Sequence, residues 1–207
     1  MKQFPLFIAG MLAGGVHAAA QSCDCPPISE RTPIVVTDEG AGTGSTTWTC
    51  DNIYLLDGYV FVQAGQMLTV NPGTIVKGMA GSGADAAALI VARDGQIQAE
   101  GAADCPITFT FESDPLDGSV AYNTRGQWGG VIILGNATTN LPTAGQVEGI
   151  PSENELSTYG GSNDADNSGT LAYVSIRHGG AQLGAANEIN GLTLAGVGNG
   201  TTIHHIE

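Results

Sequence analysis

Residues 163–169 place oxygen-bearing side chains at alternate positions of a short polar loop. Asp164, Asp166 and Ser168 are followed by a glycine, a spacing that points several oxygens toward one hard cation while the glycine permits the turn. A helix-flanked calcium loop would also need a bidentate glutamate eleven positions after Asp164, and Ser175 stands there instead. The sequence therefore predicts a weaker loop site for calcium at Asp164, Asp166 and Ser168, with a polar loop of Asx turns as the alternative.

Arg177 and His178 carry groups that could act on an acidic sugar. Removing a proton next to a uronate carboxylate needs a base to take the proton and a cation to hold the carboxylate. Successive side chains of a strand point to opposite faces, so the two could share one substrate only if the strand has ended. His204 and His205 meet the same objection. The favoured interpretation is structural, with one side chain projecting from the coil and the other bonded in a turn.

Three aromatic residues could contact a sugar. Tyr122, Trp128 and Tyr159 lie in or beside glycine-rich connections, where an exposed ring can stack on a sugar face while nearby Asn or Asp side chains bond its hydroxyls. For Trp128, burial against the first glycine-rich strand is the alternative. The sequence therefore predicts carbohydrate contact through Tyr122, Trp128 and Tyr159.

Paired carboxylates are the requirement for a glycosidase, and Asp94, Asp114 and Asp117 could in principle supply them. Nothing in the sequence brings two of them to the required separation, and such aspartates are commonly turn residues. No complete catalytic set is therefore predicted.

A repeated pattern of apolar stretches and glycine turns must position these side chains. Gly65-Gln66 separates two apolar stretches, and Gly95-Gln96 separates another two thirty positions later. Such repetition is typical of a coiled β-solenoid, in which each unit buries its inner face only by stacking on its neighbours. Strict alternation at residues 107–111 predicts one core-facing side of a strand. The core-facing residues there are Ile107, Phe109 and Phe111.

Residues 1–20 are predicted to be a signal peptide. A basic residue precedes an apolar stretch, and the small residues that follow favour cleavage after Ala20. The apolar stretch is too short and too rich in glycine to predict a membrane span, which needs about 20 apolar residues. Residues 21–47 are expected to form an extended leader with a short strand at residues 34–36, and residues 48–207 a single packed domain.

Export makes the four cysteines candidates for disulfides. We expect Cys50 to pair with Cys105, because each lies at the edge of an apolar run and closing a loop of about 55 residues would contribute roughly 4 kcal/mol in the chain-entropy model. Cys23 and Cys25 could pair with each other, stay unpaired or meet another partner. A zinc site is the weaker alternative, since no downstream pair has ligand spacing. Lipid attachment at Cys23 is also conceivable, although Gln21 fits that cleavage pattern poorly.

The charge balance excludes one class of partner. The chain has 6 Lys and Arg residues against 20 Asp and Glu residues, for a formal net charge of -14. A surface of this sign repels nucleic-acid phosphates and anionic headgroups. It suits divalent cations, neutral sugars or a saline medium, and it is also what a plain solvated surface would show.

Three glycine-rich segments carry a resemblance to a known group. Residues 126–135, 159–180 and 191–203 resemble bacterial secreted or cell-surface proteins with right-handed parallel β-helix repeats, the fold of the pectate-lyase-like superfamily. The resemblance runs from near Trp48 to the end of the chain. It implies an all-β fold, a right-handed parallel β-helix with long loop insertions. The same coil also carries polysaccharide lyases and glycosidases, so the fold alone does not choose a function.

We therefore expect a secreted or outer-surface β-helix scaffold, non-catalytic, for adhesion or carbohydrate contact, with calcium as the possible cofactor. The alternatives are a β-helix polysaccharide lyase or glycoside hydrolase, and a purely structural surface protein. The chain stops within what resembles another turn of the coil, at residues 201–207, so a fragment of a longer protein is expected.

Overall fold

The computed structural model describes residues 23–148, 150, 155–184 and 187–207. These ranges contain strands and short 3-10 turns but no α-helix, and none of their helical turns is long and apolar enough to cross a membrane. The predicted signal peptide, residues 1–20, lies outside the described ranges. The predicted leader, residues 21–47, is described from Cys23 onward.

In chain order the strands are β1 (Thr32–Thr37), β2 (Thr46–Trp48), β3 (Asn52–Asp57), β4 (Tyr59–Val62), β5 (Met67–Val70), β6 (Ile75–Gly78), β7 (Ala88–Val91), β8 (Gln96–Glu100), β9 (Ile107–Phe111), β10 (Gly130–Leu134), β11 (Gly145–Gln146), β12 (Thr158–Tyr159), β13 (Gly169–Ile176), β14 (Gln182–Gly184), β15 (Asn187–Glu188), β16 (Leu192–Ala195) and β17 (Thr202–Ile206). The 3-10 turns are Ile28–Glu30, Gly83–Asp85 and Glu155–Ser157.

The strands stack into three parallel sheets that the chain visits in a fixed order. The first sheet contains β2, β5 and β8, the second contains β1, β3, β6 and β9, and the third contains β4, β7, β10 and β16. β13 pairs with β8 through its first half and with β9 through its second half, so it continues both of the first two sheets, and β17 stacks on β13. Within these sheets each strand pairs in parallel with the strand one turn of the coil away, which confirms the predicted parallel β-helix. Two short antiparallel pairs, β11 with β12 and β14 with β15, lie outside these sheets.

Inward side chains form ladders from one turn of the coil to the next. In the first sheet the register pairs Val70 with Ala99, Ala99 with Leu171, and Leu171 with Ile203. The first three of these are buried, and Ile203 packs against the same core. Because each ladder residue covers the one before it, no single turn has a core of its own.

The predicted core face of β9 is largely confirmed. Ile107 and Phe109 are fully buried, while Phe111 is half-buried and packs at the edge of the core. Phe109 stands in register between Val76 and Ile176, so the second sheet repeats the ladder arrangement of the first.

The two central strands of the third sheet, β7 and β10, are buried on both faces. All five residues of β10 are buried, with Val131 and Ile133 facing the coil interior and Ile132 belonging to a second apolar cluster. Val147 and Ile189, from the long insertions, join this second cluster and cover the outer face. Two-sided burial explains why the sequence of this strand is continuously apolar rather than alternating.

The two Gly-Gln corners stack out of step by one residue. Register pairs Met67 with Gln96, a spacing of 29 positions rather than the 30 of the repeated dipeptide. Gly65 and Asp94 therefore occupy equivalent corners, where both have positive φ, 76° and 64°, and the N–H of Gly65 donates to the carbonyl of Asp94 at 2.8 Å. Aspartate tolerates this left-handed conformation better than most residues, so Asp94 replaces glycine at the turn.

The predicted disulfide between Cys50 and Cys105 is wrong. Cys23 is bonded to Cys105, and Cys25 is bonded to Cys50. The leader crosses the turn at residues 71–73, where Cys25 Sγ lies 3.7 Å from the carbonyl oxygen of the proline, and this brings its two cysteines to the cysteines of the coil. The positions of apolar runs could not show that the leader reaches this place. A sulfur engaged in a disulfide also leaves no thiol on Cys23 for lipid attachment.

The leader is held to the coil along much of its length. The short strand expected at residues 34–36 lies within β1, which pairs in parallel with β3 over all six of its residues. Arg31 donates from Nε to the carbonyl of Pro26 at 2.9 Å and from Nη1 to the carbonyl of Gly73 at 2.8 Å. A strand, an arginine and two disulfides thus dock this segment on the first turns of the β-helix.

Candidate functional site

The loop predicted to bind calcium uses its carboxylates inside the fold. Asp166 is buried, and its carboxylate accepts hydrogen bonds from Ser168 Oγ at 3.2 Å and from Asn136 Nδ2 at 3.4 Å. Asp164 is exposed and accepts the N–H of Thr138 at 2.9 Å, and this hydrogen bond lowers the pKa of Asp164. The two carboxylates therefore bond different partners. Calcium binding by Asp164, Asp166 and Ser168 stays a prediction.

Trp128 is wrong as a sugar-stacking residue, because its ring is fully buried. Its Nε1 donates to the carbonyl of Arg177 at 2.7 Å, and a Cβ on Gly78 would lie 2.7 Å from the Cβ of Trp128. The alternative, burial against the coil, is what the structure shows. Tyr159 is half-buried and lines a cavity of about 380 Å³ that also contacts Ile189, on the outer side of the third sheet.

Tyr122 is the most exposed of the three predicted aromatic residues. Its side chain is 98% exposed, and it lies on the loop between β9 and β10 at an open cavity of about 520 Å³. We name this cavity the Tyr122 groove. Its polar and aromatic groups come from Asp114, Tyr122, Thr124, Ser175, Arg177, His178 and Glu207.

Asp114 fixes the loop that carries Tyr122. Its buried carboxylate accepts hydrogen bonds from Thr110 Oγ1 at 2.7 Å and from the N–H of Leu116 at 2.8 Å. Lys77 Nζ donates to the carbonyl of Asp114 at 2.6 Å, and burial lowers the pKa of this ammonium although two acidic side chains oppose the shift. Both carboxylate oxygens of Asp114 accept hydrogen bonds from within the protein. Asp114 therefore shapes the groove and is not available to bind a ligand there.

Arg177 and His178 share the groove because the strand ends before them. β13 ends at Ile176, and the backbone of His178 is left-handed, with φ 57°. Arg177 Nε donates to Ser175 Oγ at 2.8 Å, and its Nη2 lies 3.7 Å from a carboxylate oxygen of Glu207. Because the strand has ended, alternation no longer separates Arg177 from His178, and both side chains line one groove.

His178 is held in one tautomer. Its Nδ1 lies 2.8 Å from the carbonyl oxygen of Thr124, and because that oxygen can only accept, Nδ1 must carry the proton. The ring also meets Phe111 edge-on, with centroids 5.5 Å apart. In the neutral imidazole the lone pair is consequently on Nε2, which can accept a proton.

The other two candidate glycosidase carboxylates are turn residues. Asp94 sits at its left-handed corner and accepts a hydrogen bond from Asn136 Nδ2 at 2.8 Å. Asp117 is exposed and accepts the N–H of Ser119 at 2.9 Å, and hydrogen bonds from Ser119 lower the pKa of Asp117. The Asp117 carboxylate bonds within its own turn, whereas the Asp94 carboxylate ties its corner to Asn136 of the loop after β10.

Sequence reasoning missed Thr124 and Glu207 as groove residues. Thr124 contributes a backbone carbonyl, which no side-chain pattern reveals. Glu207 comes from the next turn of the coil, where the N–H of Ile176 donates to the carbonyl of Glu207 at 2.8 Å. Only the stacking of β17 on β13 brings Glu207 beside Arg177, so no local signal could have found it.

Comparison with protein families agrees with the observed coil. The family described as a pectate-lyase-like beta helix domain has a model that matches residues 40–207, a range that includes the whole Tyr122 groove. Searches of curated proteins and of solved structures gave no match.

Proposed function

Because the chain belongs to the family of pectate-lyase-like β-helix domains, we propose that it is a secreted or cell-surface scaffold that contacts carbohydrate without catalysis. The observation that carries this proposal is the 98% exposed ring of Tyr122 beside a groove of polar side chains. Aromatic rings with nearby polar groups are the usual means of holding a sugar, since the ring stacks on its apolar face.

The groups beside the ring suit sugar hydroxyls. Arg177 donates hydrogen bonds and Glu207 accepts them, and their side chains are 41% and 75% exposed. The net charge of -14 disfavours strongly anionic polymers, so a neutral glycan is the preferred ligand. The amino-terminal pattern and the two disulfides support secretion, since disulfides persist in oxidising surroundings.

The test is retention of the purified chain on a panel of neutral and acidic polysaccharides in affinity gels. Tyr122→Ala should lower the affinity about two- to tenfold, since aromatic stacking is worth about 0.5–1.5 kcal/mol. Leu141→Ala is the matched control, because Leu141 is another exposed large side chain that does not line the groove. Equal retention of both variants, or no retention of the wild-type chain on any polysaccharide, would contradict the proposal.

A polysaccharide lyase is the second candidate, favoured by Arg177 and His178 lining one groove. Arg177 would hold the uronate carboxylate while Nε2 of neutral His178 removes the proton from the adjacent carbon. A C=C bond would form as the glycosidic C–O bond breaks, and the leaving oxygen would take a proton from water. The unsaturated product absorbs ultraviolet light. An absorbance rise with polyuronates that His178→Asn abolishes would assign this activity. A hydrolase would instead release reducing ends without that absorbance, and the scaffold would release nothing.

We also retain calcium binding by Asp164, Asp166 and Ser168 as a separate proposal about the stability of the loop. A purely structural role is the remaining possibility. It predicts that neither calcium nor any polysaccharide changes the thermal stability of the protein, because a ligand that binds only the folded state must raise it.

A further inference from the structure

His204 and His205 both lie on the outer surface of β17, although strand alternation separates neighbouring side chains. Ile203 and Ile206 are half-buried and pack against the core, whereas the two histidines are exposed. The backbone of His205 is left-handed, with φ 53°. This conformation adds one outward residue before Ile206 returns to the core, as a bulge does, so the two imidazoles reach the same surface.

Tyr173 holds the equivalent position one turn earlier and fixes the ring of His205. Register pairs Ala172 with His204, which leaves Tyr173 opposite His205, and the Tyr173 backbone is also left-handed, with φ 51°. The two rings stack with centroids 4.3 Å apart and planes inclined by 13°. The ring of His204 stands edge-on to both of them, at 85° to His205 and 90° to Tyr173.

The two imidazoles direct a nitrogen atom at each other. His204 Nδ1 and His205 Nδ1 are 2.7 Å apart, a hydrogen bond in which one ring nitrogen donates and the other accepts. Two nitrogens bound at right angles to one ion, each at about 2.0–2.1 Å, lie about 2.9 Å apart, and in a tetrahedral site about 3.3 Å apart. An ion would replace the shared proton, and the nitrogens would need to separate by only about 0.2 Å to bind it at right angles, less than a tetrahedral site requires. Among divalent first-row ions, Cu²⁺ favours tetragonal nitrogen ligands and binds them most tightly.

We propose that His204 and His205 form a surface site for Cu²⁺. The site is independent of carbohydrate binding in the Tyr122 groove. A cavity of about 440 Å³, lined in part by Tyr173, His205 and Glu207, adjoins His205 and leaves space for water or a small anion at the other coordination positions. The net charge of -14 raises the concentration of cations near the surface.

The experiment titrates Cu²⁺ into the full chain, purified without a polyhistidine tag and in excess Mg²⁺, with electron paramagnetic resonance as the readout. The wild-type spectrum should show hyperfine coupling to two imidazole nitrogens. His204→Asn and His205→Asn should each weaken binding about tenfold or more and leave one coupled imidazole. Asparagine is chosen because it tolerates the left-handed backbone of residue 205.

His178→Asn is the matched control, since His178 is also left-handed but has its Nδ1 bonded to a backbone carbonyl. This variant should keep the copper affinity of the wild type. Circular dichroism checks that each variant is folded, and the wild-type spectrum decides the question if one is not. Absence of two-nitrogen coupling in the wild type, or unchanged affinity in both the His204 and His205 variants, would overturn the proposal.

Discussion

Gly73 is the residue on which the cysteine cluster packs. Its φ is 73°, and a Cβ built on it would lie 2.6, 2.7 and 2.8 Å from the Sγ atoms of Cys25, Cys23 and Cys105. Its carbonyl also accepts the hydrogen bond from Arg31. A side chain at this position would therefore meet a strained backbone and the sulfur atoms of both disulfides at once.

We expect Gly73→Ala to lower the free energy of unfolding by about 2–5 kcal/mol, measured by urea denaturation. A left-handed L-residue costs about 1–2 kcal/mol, and an overpacked site adds about 1–3 kcal/mol. Gly65→Ala is the matched control, because Gly65 has φ 76° with nothing within 4 Å of its Cβ position, and it should lose only the backbone term. Equal losses in the two variants would show that the sulfurs yield without strain.

Left-handed residues also mark the limit of prediction at the scale of single side chains. Exposure of Tyr122 could be anticipated from its glycine-rich surroundings. The sequence could not show that Arg177 and His178 share one surface, or that His204 and His205 share another. In both pairs the histidine has positive φ, and the local sequence gives no sign of that conformation. Alternation is a sound rule only while the backbone stays extended.

At the scale of elements, the loop before β13 joins two corners of the coil. Asp166 is buried among donors, and the exposed Asp164 accepts the N–H of Thr138 from the preceding insertion. Because this hydrogen bond lowers the pKa of Asp164, its carboxylate is charged at neutral pH and keeps further lone pairs for a cation.

If the loop binds calcium, saturating Ca²⁺ should raise the stability of the wild type, by about 2.7 kcal/mol at one hundred times the dissociation constant. Asp164→Asn should abolish that gain while keeping the hydrogen bond from Thr138, since the amide oxygen can still accept it. Asp117→Asn, at another exposed aspartate whose carboxylate accepts a backbone N–H, serves as the control and should respond to Ca²⁺ as the wild type does. Scanning calorimetry measures all three, and a calcium response that survives in Asp164→Asn would refute the assignment.

The strands themselves were the most predictable elements. Alternation located the core-facing side of β9 at Ile107 and Phe109, but it did not show that Thr108 and Thr110 on the other side are buried as well. The continuous apolar run of β10 is typical of a strand, but its burial on both faces depends on Val147 and Ile189 from distant insertions. The offset of the Gly-Gln corners was hidden for a related reason, since Asp94 performs at one corner the task of glycine at the other.

At the scale of the whole molecule, the leader is what sequence patterns described least well. The repeats predicted a coil because each turn resembles the next, whereas the leader has no repeat and reaches its place through partners far along the chain. Cys23 and Cys105 are separated by 82 positions, and Cys25 and Cys50 by 25. Closing the larger loop is worth about 4.5 kcal/mol in the chain-entropy model and the smaller about 3.5 kcal/mol.

We therefore expect the paired variant Cys23→Ser with Cys105→Ser to lose more stability than Cys25→Ser with Cys50→Ser, by about 1 kcal/mol in urea denaturation.

The pairing itself is checked on the unreduced wild type by mass spectrometry after trypsin digestion. Cleavage after Arg31, Lys77 and Arg93 leaves the two leader cysteines in one peptide and the two coil cysteines in separate peptides.

The structure requires these three peptides to remain joined as one species until reduction, because each coil cysteine is bonded to a different leader cysteine. A bond between Cys50 and Cys105 would instead join two peptides and release the leader peptide. Additional cleavage before Asp24 separates Cys23 from Cys25 and distinguishes the observed pairing from its exchanged form. Recovery of a separate leader peptide would therefore refute the covalent docking of the leader. The pairing of β1 with the second sheet would then be the remaining link that holds the leader to the coil.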